Sequence, residues 1–158
     1  MRKIDRIKTI LITSFIFAVF LFSGCISEVQ SNTQTNKSIL EKQVDQISIP
    51  ISEISQAAKF YKYDYEGKTI SFFAVKSSDG QLKIAFNACD VCYPEKKGYR
   101  QEGDFMVCNY CGLKFSTKGI GTQNKESGGC WPGYLPSKIE GNNITISKVD
   151  LENGKWRF

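Results

Sequence analysis

Apolar and polar positions divide the chain into three regimes. Residues 9–22 (TILITSFIFAVFLF) are an almost unbroken apolar run of fourteen, behind a basic start that carries Arg2, Lys3, Arg6 and Lys8. After Cys25 the chain turns polar through Ser27, Glu28, Gln30, Asn32, Gln34 and Asn36, a composition that buries too little apolar surface to order itself. Isoleucines and Val44 return from Ile39 onward, and from there the pattern is that of short strands. A first strand is predicted at 47–51, and a short helix at 52–58 with Ser52 as its cap. Residues 59–65 are rich in β-formers, Glu66-Gly67-Lys68 turns the chain, and 69–75 is a further strand. Asp79-Gly80 between apolar runs marks a hairpin, because glycine accepts positive φ at little cost. Residues 81–86 then alternate with period two, as a half-buried strand does. Beyond it, 95–104 reads as a polar loop, 105–107 and 142–146 as strands, and 156–158 as a closing edge strand.

The length of 158 residues suits one modest domain with appendages. Aromatic residues make up 13% of it, which supports a compact, mostly β core in which most of them pack against the sheets. The formal net charge is +5, and residues 1–24 hold four basic side chains against Asp5, so +3 of that belongs to the first segment. The remaining charge is too weak and too scattered for a nucleic-acid surface, so no nucleic-acid partner is expected.

That first segment has the grammar of an export signal: a basic start, an apolar run, then Ser23-Gly24 before Cys25. Fourteen apolar residues are short against the ~20 that span a bilayer. A cysteine directly after Ser-Gly resembles the lipobox of prokaryotic lipoproteins, although the position three before it is Phe22 where most members have Leu. The resemblance implies that residues 1–24 are a signal peptide and that Cys25 carries lipid. Residues 25–46 then form a polar tether and 47–158 the folded domain, held at the outer face of a cell membrane.

The chemistry lies between Cys89 and Cys130, which hold five of the six cysteines, and the chain has no histidine. Cys89-Asp-Val-Cys92 is followed after fifteen residues by Cys108-Asn-Tyr-Cys111-Gly112, and Cys130 stands alone in Gly128-Gly129-Cys130-Trp131-Pro132. Each tight C-x-x-C turn aims two thiolates at one point, and two such turns complete a four-sulfur shell. Gly112 suits the second turn, while Tyr93-Pro94 follows the first. Without histidine, ordinary hydrolytic triads and most catalytic metal sites are excluded.

Spacing alone leaves three readings open: a redox centre of iron or iron–sulfur, a structural zinc site, and thiol–disulfide chemistry. If Cys25 carries lipid, five thiols remain, an odd number that disulfides cannot exhaust. Cys130 is a fifth ligand, a resolving thiol or a buried small residue. Tyr93, Tyr99, Tyr110 and Trp131 either shield the centre or simply pack the loops. Asp90, Glu95, Glu102 and Asp104 either attract a cation or are solvated loop charges.

Residues Phe72-Phe73-Ala74-Val75-Lys76, Ala88-Cys89-Asp90-Val91-Cys92-Tyr93, Cys108-Asn109-Tyr110-Cys111-Gly112 and Gly128-Gly129-Cys130-Trp131-Pro132 together resemble the membrane iron–sulfur FtrD-like family over about 49–158. The resemblance implies a metal centre on Cys89, Cys92, Cys108 and Cys111. It further implies electron transfer tied to ferrous-iron transport, with a membrane redox or iron-transport partner. The layout of hairpin, ligand pair, loop, second pair and Gly/Pro-rich segment is also similar to Rieske domains, with Cys92 and Cys111 at the histidine places. The fold expected is therefore mainly β: a Rieske-like β-sandwich with a rubredoxin-like two-knuckle metal-binding subdomain. Its cofactor would be an iron–sulfur cluster or mononuclear iron, with zinc as the alternative.

Overall fold

The computed structural model describes residues 45–127 and 129–158. The signal segment 1–24, the lipid-bearing role of Cys25 and the tether before Asp45 lie outside the described residues. Among the described residues no helix is long and apolar enough to cross a membrane.

The domain is mainly β. Among the described residues nine strands form three antiparallel three-stranded sheets. The first joins β1 (Gln46–Pro50), β9 (Asn143–Ser147) and β8 (Lys138–Glu140), with β9 in the middle. The second joins β2 (Lys59–Tyr65), β3 (Lys68–Lys76) and β4 (Leu82–Phe86) in chain order. The third joins β5 (Tyr99–Glu102), β6 (Phe105–Cys108) and β7 (Lys114–Ser116), also in chain order. The described residues also include two short α-helices, α1 (Gln123–Ser127) and α2 (Lys148–Asn153).

Strand β3 is the structural centre because both of its faces are buried. Side chains alternate across a strand, so Ile70, Phe72 and Ala74 enter one core while Phe73 and Val75 enter another. The first core is completed by Ile84 and Phe86 of β4, by Ile49, Ile144 and Ile146 of the first sheet, and by Leu151 of α2. The second lies against the third sheet and contains Ala85, Tyr99, Met106, Ile120 and the two cysteines Cys89 and Cys108. The candidate ligands thus begin at the rim of a close-packed core, where backbone movement is resisted on several sides.

The sequence-based strands at 47–51, 59–65, 69–75, 81–86, 105–107 and 142–146 all correspond to strands of the fold. Three expectations are corrected. Residues 52–58 do not form a helix: a single 3-10 turn covers Ile51–Glu53, and Ile54 is already extended. Ser55 explains this, since its hydroxyl accepts from the Ala57 N–H at 3.2 Å and its carbonyl accepts from the Lys76 N–H at 2.8 Å. Both groups are thereby used outside a helix. Residues 156–158 do not form an edge strand; Lys155–Arg157 is a 3-10 turn following α2. The Arg157 and Phe158 N–H groups donate to the Gly154 and Lys155 carbonyls, so the local turn uses the donors that a strand would need. Trp156 and Phe158 instead pack as wedges on Tyr93 (ring centroids 5.0 Å apart) and Phe86 (6.1 Å). Strand β5 lies inside the stretch read as a polar loop, because only Tyr99 of its four residues is fully buried.

Candidate metal centre

The two C-x-x-C turns stand on different sheets. Strand β4 delivers Cys89, and β6 ends on Cys108. Cys89 and Cys108 are buried, Cys92 and Cys130 are half-buried, and Cys111 is exposed. In the first turn the Cys92 N–H donates to Cys89 Sγ at 3.0 Å. The second closes through the Gly112 N–H on the Cys108 carbonyl and the Cys108 N–H on the Leu113 carbonyl, both at 3.0 Å. Gly112 takes φ +74, a left-handed conformation that side-chain-bearing residues adopt at a cost.

Asn87 holds the two turns in register. Its Oδ1 accepts the Tyr99 N–H at 2.7 Å, and its amide donates to Ser71 Oγ at 3.3 Å. Next to it, the Gly98 carbonyl accepts the Asn109 N–H at 2.9 Å, one residue past Cys108. Neither Asn87 nor Gly98 carries metal-site chemistry, so a motif search passes over both; the only sign in the sequence is that Asn87 sits two residues before Cys89.

Cys130 is brought to the same place by a third route. Residues 133–134 lie alongside β4, with the Gly133 N–H on the Ala88 carbonyl at 2.7 Å and the Phe86 N–H on the Gly133 carbonyl at 2.9 Å. The Asp90 N–H donates to the Gly129 carbonyl at 3.2 Å, and the Tyr99 hydroxyl donates to the Cys130 carbonyl. Buried Asn124 of α1 donates to the Pro132 carbonyl at 2.9 Å, and Trp131 packs on Phe115 at 4.8 Å.

The resulting sulfurs form two overlapping triads. Cys89, Cys92 and Cys130 have all their Sγ atoms within 4.8 Å of one another, and so do Cys92, Cys108 and Cys111. Cys92 belongs to both. Among the described residues no four sulfurs meet that limit. A donor set of thiolates alone suits zinc, iron or an iron–sulfur cluster. A single tetrahedral ion with metal–sulfur bonds of about 2.3 Å sets its four sulfurs roughly 3.8 Å apart in every pair. The two triads share one corner, so the five sulfurs are spread more widely than the four of a single tetrahedral shell.

The surroundings tune the sulfurs differently. Burial, followed by contact with Cys130, pushes the Cys92 thiol far above its ordinary value, and burial also raises Cys130. The Leu113 N–H directed at Cys111 holds that thiol below the usual range, so Cys111 is the readier thiolate of the three. A cleft of about 400 Å³ opens beside Cys89, Cys92 and Cys108. Its lining includes Lys68, Lys96, Lys97 and Arg157 and no carboxylate side chain, which favours negative charge at the site.

The acidic residues near the turns are mostly engaged elsewhere. Asp90 accepts from Arg157 at 2.8 Å, which ties the end of the chain to the first turn. Glu102 pairs with Arg100 and Lys114, each at 2.7 Å. Among the aromatic candidates, Tyr99 is 4% exposed and belongs to the core, while Tyr110 is 58% exposed.

No curated protein matches the chain. Among solved structures, those of the quaternary ammonium Rieske monooxygenase CntA, with the inhibitor MMV12 and with gamma-butyrobetaine, are similar at 16% identity and a TM-score of 0.41. They cover 66% and 68% of this chain, which spans 31% and 34% of theirs, about a third of their length. The family model of the membrane iron–sulfur containing FtrD-like proteins matches residues 54–158, all of the metal centre and most of the domain, and the chain belongs to that family.

Proposed function

We propose that this protein is a membrane-tethered, extracytoplasmic iron–sulfur protein that passes single electrons in the handling of ferrous iron. The observation that carries the reading is the pair of sulfur triads sharing Cys92, in a family named for its iron–sulfur centre. Cys89, Cys92, Cys108 and Cys111 would hold a two-iron cluster, which when bound supplies a one-electron couple. Four thiolates give the irons more negative charge than the imidazoles of a Rieske site do, so its potential would lie below that of a Rieske centre.

The chain's own groups prepare the site for that task. The N–H of Cys92 on Cys89 Sγ and the N–H of Leu113 directed at Cys111 compensate charge on sulfur. Lys68, Lys96 and Lys97 add positive charge to the lining of the cleft. Val91, Tyr110 and Leu113 lie within or next to the two turns and are 59%, 58% and 53% exposed. Exposed apolar side chains on the two cysteine turns suit the docking of a membrane redox or iron-transport partner. Lipid on Cys25 would keep the domain within reach of that partner.

The test is to purify the full chain in detergent without oxygen, and to measure its visible spectrum, iron and acid-labile sulfide. The expected result is charge-transfer absorption bleached on reduction, with about two irons and two sulfides per chain. A colourless protein holding one zinc would overturn the redox reading. Iron without sulfide would overturn the two-iron centre.

A further inference from the structure

Cys130 is surplus to a four-thiolate centre, yet the fold spends several contacts on placing it. The backbone is fixed immediately before it by Asp90 on the Gly129 carbonyl, at it by the Tyr99 hydroxyl, and after it by Asn124 on the Pro132 carbonyl. Gly129, at φ +71, makes the turn that presents it. Its Sγ lies 3.9 Å from Cys92 Sγ. That is close to the roughly 3.8 Å separating two thiolates on one tetrahedral metal at bond lengths of about 2.3 Å. A disulfide would require the sulfurs to close to about 2.0 Å. A cysteine kept only as a small apolar residue belongs inside a core, whereas Cys130 is half-buried and outside both core clusters.

The triads show which ligand it can replace. Cys130 and Cys111 each share a triad with Cys92 and lie in contact with each other beside it. Removing either leaves four sulfurs around Cys92. Of the five, Cys111 is the exposed one and has the least protein around it to prevent departure.

We infer that Cys130 is an exchangeable metal ligand that takes over when Cys111 leaves the centre, so that five thiols supply four donors at a time. The exchange moves no electrons: the Cys130 thiol gives its proton to solvent as it binds, and the departing Cys111 thiolate takes one up. The consequence is a centre that can open on its exposed side while the metal stays bound.

The inference rests on the cysteines holding metal but does not require that metal to be an iron–sulfur cluster. Cobalt(II) added to the reduced, metal-free full chain reads sulfur ligation through its thiolate charge-transfer absorption. Cys111→Ser is expected to weaken cobalt binding less than the double variant with Cys130→Ser does. The double variant should weaken by at least about tenfold, the scale on which even residues supporting metal ligands act. If Cys111→Ser falls as far as the double variant, or if the double variant binds like the singles, the inference is overturned. Alkylation followed by mass spectrometry decides the matter should the double variant not fold. In the cobalt-loaded parent Cys130 should be alkylated, and in cobalt-loaded Cys111→Ser it should be protected; equal reactivity in both overturns it. Absence of iron from the isolated parent would sink the electron-transfer reading alone and leave the cobalt pattern to judge Cys130.

Discussion

Replacing Asn87 with alanine, and Gly98 with alanine, tests how the two cysteine turns are held together. Asn87→Ala removes the acceptor of the Tyr99 N–H, a 2.7 Å bond at a residue only 4% exposed. A buried donor left without a partner costs about 1–3 kcal/mol. Gly98→Ala reaches the same bond from the other side. A Cβ there would meet the Asn87 side-chain amide at 2.7–2.9 Å and push it off its partner, and the residue would also sit at φ +61. Left-handed backbone costs a residue with a side chain roughly 1–2 kcal/mol. Each single change therefore includes the loss of the same hydrogen bond, and the double variant loses it once. Its destabilisation should fall short of the sum of the singles by about 1–3 kcal/mol, in the range seen for residues in contact. Urea unfolding of the full chain with metal chelated, followed by tryptophan fluorescence, measures all four corners of the cycle. At roughly 4 °C per kcal/mol for a domain of this size, Asn87→Ala alone should also lower Tm by about 4–12 °C. Additivity within about 0.5 kcal/mol would refute the argument, since distant, independent sites behave that way.

Gly154→Ala should be more damaging than either, at about 3 kcal/mol or more, because its Cβ would run into the Phe86 ring in the first core; thermal melts check this. By contrast Glu53→Gln, which breaks an exposed pair with Lys59, should change stability by no more than about 0.5 kcal/mol. Metal removal should lower Tm, and restoring free metal to a hundredfold over its Kd should return about 2.7 kcal/mol; Cys89→Ser, at a position 2% exposed, should abolish that response. Acid should destabilise the fold in a stated direction. Hydrogen bonds from Lys114 and then Arg100 hold Glu102 below the ordinary carboxylate range, and Asp79 is held down by the Ser77 hydroxyl and the Gln81 N–H. A carboxylate depressed in the folded state stabilises above its unfolded pKa, and that contribution is lost as pH falls through the lower folded value. The urea midpoint should thus stay level from neutral pH to about 5 and decline below about 4, less so in Asp79→Asn and Glu102→Gln. A midpoint that rises on acidification would contradict this.

The sequence by itself determined the elements whose signals are local. Period-two alternation and Asp79-Gly80 mark the β3–β4 hairpin, and C-x-x-C spacing marks both turns before any coordinate is known. The donor chemistry was legible too, since five clustered cysteines in a chain without histidine point to sulfur donors. Tertiary structure decided the rest. Strand β5 was hidden because three of its four residues are not fully buried, and its identity comes from pairing with β6. Residues 156–158 have the composition of a strand, but their N–H groups bond within a turn and their aromatic rings pack on Tyr93 and Phe86. Above all, no spacing rule places Cys130, which lies 38 residues beyond Cys92 along the chain and 3.9 Å from it through space. Ligand spacing within one turn is a property of the local backbone, whereas the meeting of three separate segments at one point depends on the sheets that carry them.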